Sequence, residues 1–177
     1  MARTVPVTSS QSPGNFITGA LWNAGVKALG DFLLGVPVFQ GYQATVQSIP
    51  SGTWTALSID TGVIDSDGGH SNVTNPSRYT NQVAGVYLLL GFSALVANAT
   101  GVRGTRLSIN GSTTVRGSQT NLTTVSSSVF AAPCWGVARL AVGDYVECQT
   151  FQNSGGALNT NNGTDATSQM AAFWIAS

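Results

Sequence analysis

The densest run of chemically capable side chains is Asp65-Ser-Asp67-Gly-Gly-His70-Ser71. Asp65-x-Asp67-x-Gly69 begins like a calcium loop, whose alternating oxygen ligands close on a bidentate Glu at the twelfth position. Here the twelfth position is Pro76, so the closing ligand is missing. Asp67, His70 and Ser71 have the chemistry of a hydrolytic triad, yet neighbours on one loop rarely reach triad geometry. No Gly-x-Ser-x-Gly elbow, Walker loop or Gly-x-Gly-x-x-Gly accompanies them. Glycoside hydrolysis needs two carboxylates at a fixed separation. The acids here are one Glu and six Asp, with Asp60, Asp65 and Asp67 near one another. Asp and Gly in such a run make turns. His70 is the only histidine, so a multi-histidine metal site would require three chains around an axis. The run reads as a turn, and the expectation is no catalytic residue, no metal and no cofactor.

Cys134 and Cys148 are the only cysteines. Strands over 134–142 and 144–152, joined by Val142-Gly143-Asp144, read as a hairpin. If Leu140 faces Tyr145, Cys134 lies opposite Phe151 and the sulfurs point to opposite faces. A one-residue bulge would bring them to the same face. The expectation is two free, buried thiols.

These residues need a scaffold, and the chain reads as mainly β behind an N-terminal segment. Residues 1–14 read as an extended arm, since Pro6 fixes its own φ and restricts Val5. Residues 15–34 read as a helix capped by Asn15. Ile17, Leu21, Ala24, Ala28, Phe32 and Leu33 form its apolar stripe, and Gly35 and Pro37 stop it. Gly19, Gly25 and Gly30 weaken the helix, so it requires docking. Trp22 lies on it and reads as a docking contact. Beyond Pro37, strands are expected near 38–48, 53–59, 77–82, 84–97, 103–110, 112–117, 121–130, 134–142, 144–152 and 168–176, the spacing of an antiparallel sandwich. Asn110-Gly111 is the strongest hairpin signal. Stretches 65–71 and 153–167 read as loops. Trp54, Trp135, Trp174, Tyr87, Phe92 and Phe173 fall in strands, where core packing is expected. An exposed set would instead make a platform for sugar rings.

Composition narrows the function. The net charge is zero and 8% of the 177 residues are charged, against about 25% in soluble domains generally. Seven scattered Lys and Arg make no basic stripe, so no nucleic-acid partner is expected. The longest apolar run, 83–97, is too short to span a bilayer, and no membrane partner is expected. Met1 to Ser12 is polar and has no apolar core of a secretion signal. A surface so poor in charge is one that other copies or a larger assembly would cover.

Several β landmarks occur in an order that resembles the C1q/TNF-like jelly roll. Val83-Ala-Gly85-Val-Tyr87-Leu resembles its Gly-x-Tyr strand. Asn98-Ala-Thr-Gly101-Val-Arg103 followed by Leu107-Ser-Ile-Asn110-Gly111 resembles its next hairpin. Leu140-Ala-Val-Gly143-Asp144-Tyr-Val146 resembles its Leu-x-x-Gly-Asp-x-Val turn, and Met170 to Ile175 its last strand. The resemblance spans residues 38–177 and implies a homotrimer packed around a threefold axis through an apolar wall. The absence of a collagenous stalk and of a secretion signal sets aside the complement and cytokine roles.

The opening is similar to that of short virion structural proteins of tailed phages that infect actinobacteria. Ala2-Arg-Thr-Val-Pro6, Ala20-Leu-Trp-Asn-Ala24 and Ala28-Leu-Gly-Asp-Phe-Leu33 carry this likeness. It implies a decoration or minor tail protein on the virion surface. Residues 1–37 would anchor it and 38–177 would form a knob. Val5, Pro6, Phe16, Leu21, Trp22, Phe32 and Leu33 are the expected contacts to a major capsid or tail protein. The alternative is a module that recognises host cell-surface carbohydrate.

Overall fold

The computed structural model describes residues 3–123 and 128–177. Met1 and Ala2 of the opening motif, and residues 124–127 of the expected strand 121–130, lie outside them. The helical segment begins later than expected. Gly14 takes φ 89° in a Pro13-Gly14 turn, and the Asn15 amide donates back to Ser12 O at 3.2 Å. Thr18 caps instead, its hydroxyl accepting from the Leu21 amide at 3.2 Å. The segment runs as α1 (Gly19–Leu21), a π-helical turn (Trp22–Lys27) and α2 (Ala28–Leu34). It ends at Gly35 as the sequence indicates.

Fifteen strands follow among the described residues. They are β1 (Val38–Tyr42), β2 (Ser48–Ile49), β3 (Thr55–Ala56), β4 (Thr61–Asp65) and β5 (Arg78–Thr80), then β6 (Gly85–Leu95), β7 (Val102–Ile109), β8 (Thr113–Thr114), β9 (Thr120–Thr123) and β10 (Phe130–Leu140). The last five are β11 (Tyr145–Gln152), β12 (Leu158–Asn159), β13 (Asn162–Gly163), β14 (Ala166–Thr167) and β15 (Gln169–Ala176). One sheet has the order β4-β1-β15-β6-β10. The other is built on β3-β11-β7-β8, with β5 also paired to β11 and β9 to β7. All pairings are antiparallel. The two sheets enclose Phe39, Tyr87, Leu89, Leu107, Leu140, Val146 and Met170.

Three expectations are corrected. The strand expected to 48 stops at Tyr42, because the Asp60 carboxylate takes the amides of Ala44 (2.6 Å) and Thr45 (2.9 Å) and turns the chain. Residues 61–65 are a strand on the sheet edge, where none was expected between 59 and 77, and it takes in Asp65, the first residue of the expected loop. Val142-Gly143-Asp144 does not close a hairpin, since β10 pairs with β6 and β11 with β7, in different sheets. The turn carries the chain across the sandwich.

That crossing reverses the geometry expected of the cysteines. Cys134 and Cys148 are buried and free, as expected, but they face each other from opposite sheets. Gly91 makes room for them: a Cβ there would lie 2.7 Å from each sulfur. The hydrogen bond to Cys134 and burial push the Cys148 thiol well above its ordinary range.

The motif residues hold one end of the sandwich. Asn110 and Gly111 have φ of 54° and 71°, and join β7 to β8 as a tight hairpin. The Asn110 side chain donates to Asp144 Oδ1 (2.9 Å) and accepts from the Tyr145 amide (3.0 Å). Asp144 Oδ2 accepts from the Ala141 amide at 2.8 Å. Gly143, with φ 91°, donates to Asn81 O. Leu140 and Val146 enter the core on either side. Tyr87 is buried and donates to Val83 O at 2.7 Å. Gly85 lies under Trp174, whose Nε1 would be 2.2 Å from a Cβ there.

Two expectations are testable. Gly91→Ala forces the sulfurs apart and should lower stability by roughly 1–3 kcal/mol, read as a lower urea midpoint. The native thiols should resist a disulfide reagent that modifies both after unfolding. Acid stability offers a second test. The hydrogen bonds from Asn110 and the Ala141 amide hold the Asp144 carboxyl below its ordinary value. Burial acts to raise Asp60, but the Thr45 hydroxyl and the Ala44 and Thr45 amides outweigh it, and its value is also lowered. Both pKa values are lower folded than unfolded. Their stabilisation is therefore complete above the unfolded value of about 3.9 and is lost as pH falls through the folded values. Asp60→Asn and Asp144→Asn should flatten the acid limb of a stability–pH curve.

Candidate functional site

The structure engages each chemically capable loop residue within the chain. Asp65 accepts from the amides of Gly69 (3.0 Å) and His70 (2.9 Å). Asp67 pairs with Arg3 at 2.6 Å. The Ser71 hydroxyl accepts from the Thr74 amide at 3.0 Å. His70 presents Nδ1 to Arg78 O (2.7 Å) and Nε2 to Ile59 O (2.8 Å). None of the triad-like residues bonds another, and the Asp65 and Asp67 carboxylates hold different partners. This set makes a turn and a clasp.

The sheet β4-β1-β15-β6-β10 carries a different kind of site. Its inward positions fill the core. Its outward positions form cross-strand rows set by register, three of them over the middle of the sheet. One row is Trp135, Leu90, Ala171, Gln40 and Ile64. A second is Val137, Leu88, Phe173 and Val38. The third is Pro133, Phe92, Gln169 and Tyr42. None of these three contains a charged residue, and the next row, Arg139, Val86 and Ala176, carries one at the end of the face. Trp135 is 65% exposed, and Leu90, Val137 and Ile64 are exposed beside it. A groove of about 360 Å³ runs between Gln40, Leu90, Phe92, Pro133, Trp135 and Phe173. A single chain thus leaves the outward side of its central strands in water, the opposite of what apolar rows favour. Core packing was expected of Trp135, but that residue points outward; Tyr87 packs in the core as expected.

Trp54, on the other sheet, neighbours Phe151 with ring centroids 5.4 Å apart, and the Arg106 guanidinium lies 4.2 Å from its ring centroid.

The N-terminal segment forms the third feature. Of the seven expected anchor residues, Phe32 is buried against the chain's own knob, edge-on to Trp174 with ring centroids 5.0 Å apart. Its place in the apolar stripe did not reveal that partner. Arg3 lies over the same ring at 5.7 Å while pairing with Asp67. Phe16 is 89% exposed, and Trp22 and Leu33 are also exposed. Val5, Pro6 and Leu21 are half-buried. The arm lies against the helix, so that Val7, Thr8, Ile17, Leu21, Trp22 and Gly25 border one shallow cleft.

No protein-family model matches the chain, and no curated protein matches it in sequence. Solved structures do match in shape. The globular domain of zebrafish complement 1qA superposes with a TM-score of 0.59 at 15% identity, covering 78% of this chain and 97% of that one. Eiger TNF from S. frugiperda gives 0.57 at 11% identity, covering 79% and 91%. Murine APRIL gives 0.55 at 15% identity, covering 78% and 98%. The fold is the C1q/TNF jelly roll. At these identities the likeness establishes the jelly roll itself, as the ordered motifs implied. The helical segment is an addition that the jelly roll holds through Phe32 and Arg3.

Phe32→Ala should remove about 2 kcal/mol of that docking. Limited proteolysis should then cut between the helix and Val38 faster than in the unchanged chain. The knob's own melting transition should persist.

Proposed function

We propose that this chain is a non-enzymatic virion structural protein. Three copies would associate through the apolar sheet face into a knob, and the N-terminal segments would fix the knob to the particle surface. The observation that carries the reading is the set of three uncharged rows on the outward face of β4-β1-β15-β6-β10. An apolar area this continuous favours removal from water on association. A jelly-roll trimer would remove it, which agrees with the family resemblance and with so few charges elsewhere.

The attachment follows from the helical segment. With Phe32 holding α2 to the knob, Phe16, Trp22 and Leu33 remain outward for a capsid or tail protein, with Val5, Pro6 and Leu21 beside them. Phe32 therefore acts as tether and not as a contact to that partner. The likeness of the opening to actinobacterial phage structural proteins supports the virion setting. A short chain with one knob and one clamp suits a site repeated many times, which favours capsid decoration over a minor tail position. A glycan-recognising tail module is the second reading, supported by the accessible Trp135. That residue lies on the face a trimer would cover, which weighs against it.

Co-sedimentation of the full chain with purified empty capsids tests the proposal, with tail fractions and host cell-wall glycan in parallel. Saturable binding to capsids is expected, weakened at least about tenfold by Trp22→Ala combined with Leu33→Asp. Binding to glycan but not to capsids would replace decoration by the second reading. Capsid binding that the double substitution leaves unchanged would contradict the anchor.

A further inference from the structure

The fold brings Tyr145, at the start of β11, beside β5 and the 68–71 turn, and together they border a cavity of about 340 Å³. That lies within the range of small-molecule sites, about 300–1,000 Å³. Arg78 lines it, with its guanidinium 4.1 Å from the Tyr145 ring centroid. Arg78 Nε donates to Glu147 Oε1 at 3.1 Å. The stacking and that bond fix the planar fork. Neither Nη makes a hydrogen bond among the described residues, and 37% of the side chain is exposed. Glu147 is buried, also accepts from the Ser77 hydroxyl at 3.2 Å, and balances the Arg78 charge.

The other polar groups at this cavity are both donors and acceptors. The Ser71 hydroxyl accepts from the Thr74 amide, which leaves its own proton to give. Gln82 Nε2 donates to Thr80 O at 3.1 Å, which leaves Oε1 as an acceptor. The Asn75 amide supplies one of each on an exposed residue. His70 borders the cavity too, but its ring nitrogens are turned to the Arg78 and Ile59 carbonyls. An anion needs donors alone and an unbalanced positive charge. Here acceptors stand among the donors, and the guanidinium is already neutralised. Hydroxyl groups, which both donate and accept, match that set. We infer that this cavity binds a neutral saccharide, with adjacent ring hydroxyls accepting from the Arg78 fork and another donating to Gln82 Oε1. The site is separate from Trp135. β5 and β11 belong to the sheet opposite the apolar rows, so the inference stands whether or not the knob sits on a virion.

Titration of the full chain with methyl α-glucoside, methyl β-galactoside and N-acetylglucosamine tests it. The readouts are the Arg78 Nε–Hε resonance and the Gln82 side-chain amide. The expected result is a saturable shift of both with at least one of these sugars. The Arg106 Nε–Hε resonance, from a guanidinium also stacked on a ring but outside the cavity, should stay in place. Arg78→Lys keeps the charge facing Glu147 but loses the fork, and should weaken binding at least about tenfold. Thr74→Trp, at an exposed rim position, should abolish binding by filling the cavity. An equal response to sodium phosphate would make this an anion site and overturn the saccharide assignment. No saturable shift with any of the sugars, or one that survives both substitutions, would overturn the inference.

Discussion

The structure turns on a sheet that is apolar on both sides. Tyr87, Leu89 and Leu95 of β6 face the core, while Val86, Leu88, Leu90 and Phe92 face outward. A sandwich needs only the first set. In an antiparallel sheet with one wet face, the second set would be polar. Here it is continued by Trp135, Val137 and Phe173 on the neighbouring strands, and the charge in register with it, Arg139, lies opposite Val86 at one end of the face. The proposed self-association follows from that one departure. The scarcity of charge in the whole chain follows the same logic, because a face that is to be covered has no need of solvation.

The N-terminal segment obeys a related constraint. A helix with three glycines and a π-helical turn in its middle has little stability of its own. Phe32 on Trp174, with Arg3 over the ring and on Asp67, ties it to the base of the knob. Arg3 thereby links the arm, the helix and the Asp65–Ser71 turn. The acidic residues that looked like a site in sequence thus have a mechanical role. Asp65 shapes the turn and Asp67 receives the arm.

Much of this was legible in the sequence. The apolar run over 83–97 and the closing hydrophobic stretch 170–175 located the central strands of one sheet, and Asn110-Gly111 located a hairpin of the other, since positive φ at both residues leaves little other choice. Local patterning could not supply partners. Val142-Gly143-Asp144 has the same turn chemistry whether the chain returns in its own sheet or crosses to the other, so the cysteine geometry was inverted. The edge strand at 61–65 is short and adjoins an Asp-Gly run that reads as loop. Asn15 has the chemistry of a cap, but the Pro13-Gly14 turn captured it. Phe32 lay in the apolar stripe, and nothing nearby in sequence pointed to Trp174. The burial of Arg103 was not legible, because a lone Arg in a strand reads as solvent-facing.

The most direct measurement is the mass of the full chain in solution by light scattering during gel filtration, beside that of Leu90→Lys, which places one charge in the centre of the apolar rows. The account predicts three times 18.2 kDa for the native chain and a folded monomer for the substituted one. A native chain that runs as a monomer, or a trimer that tolerates Leu90→Lys, would contradict it.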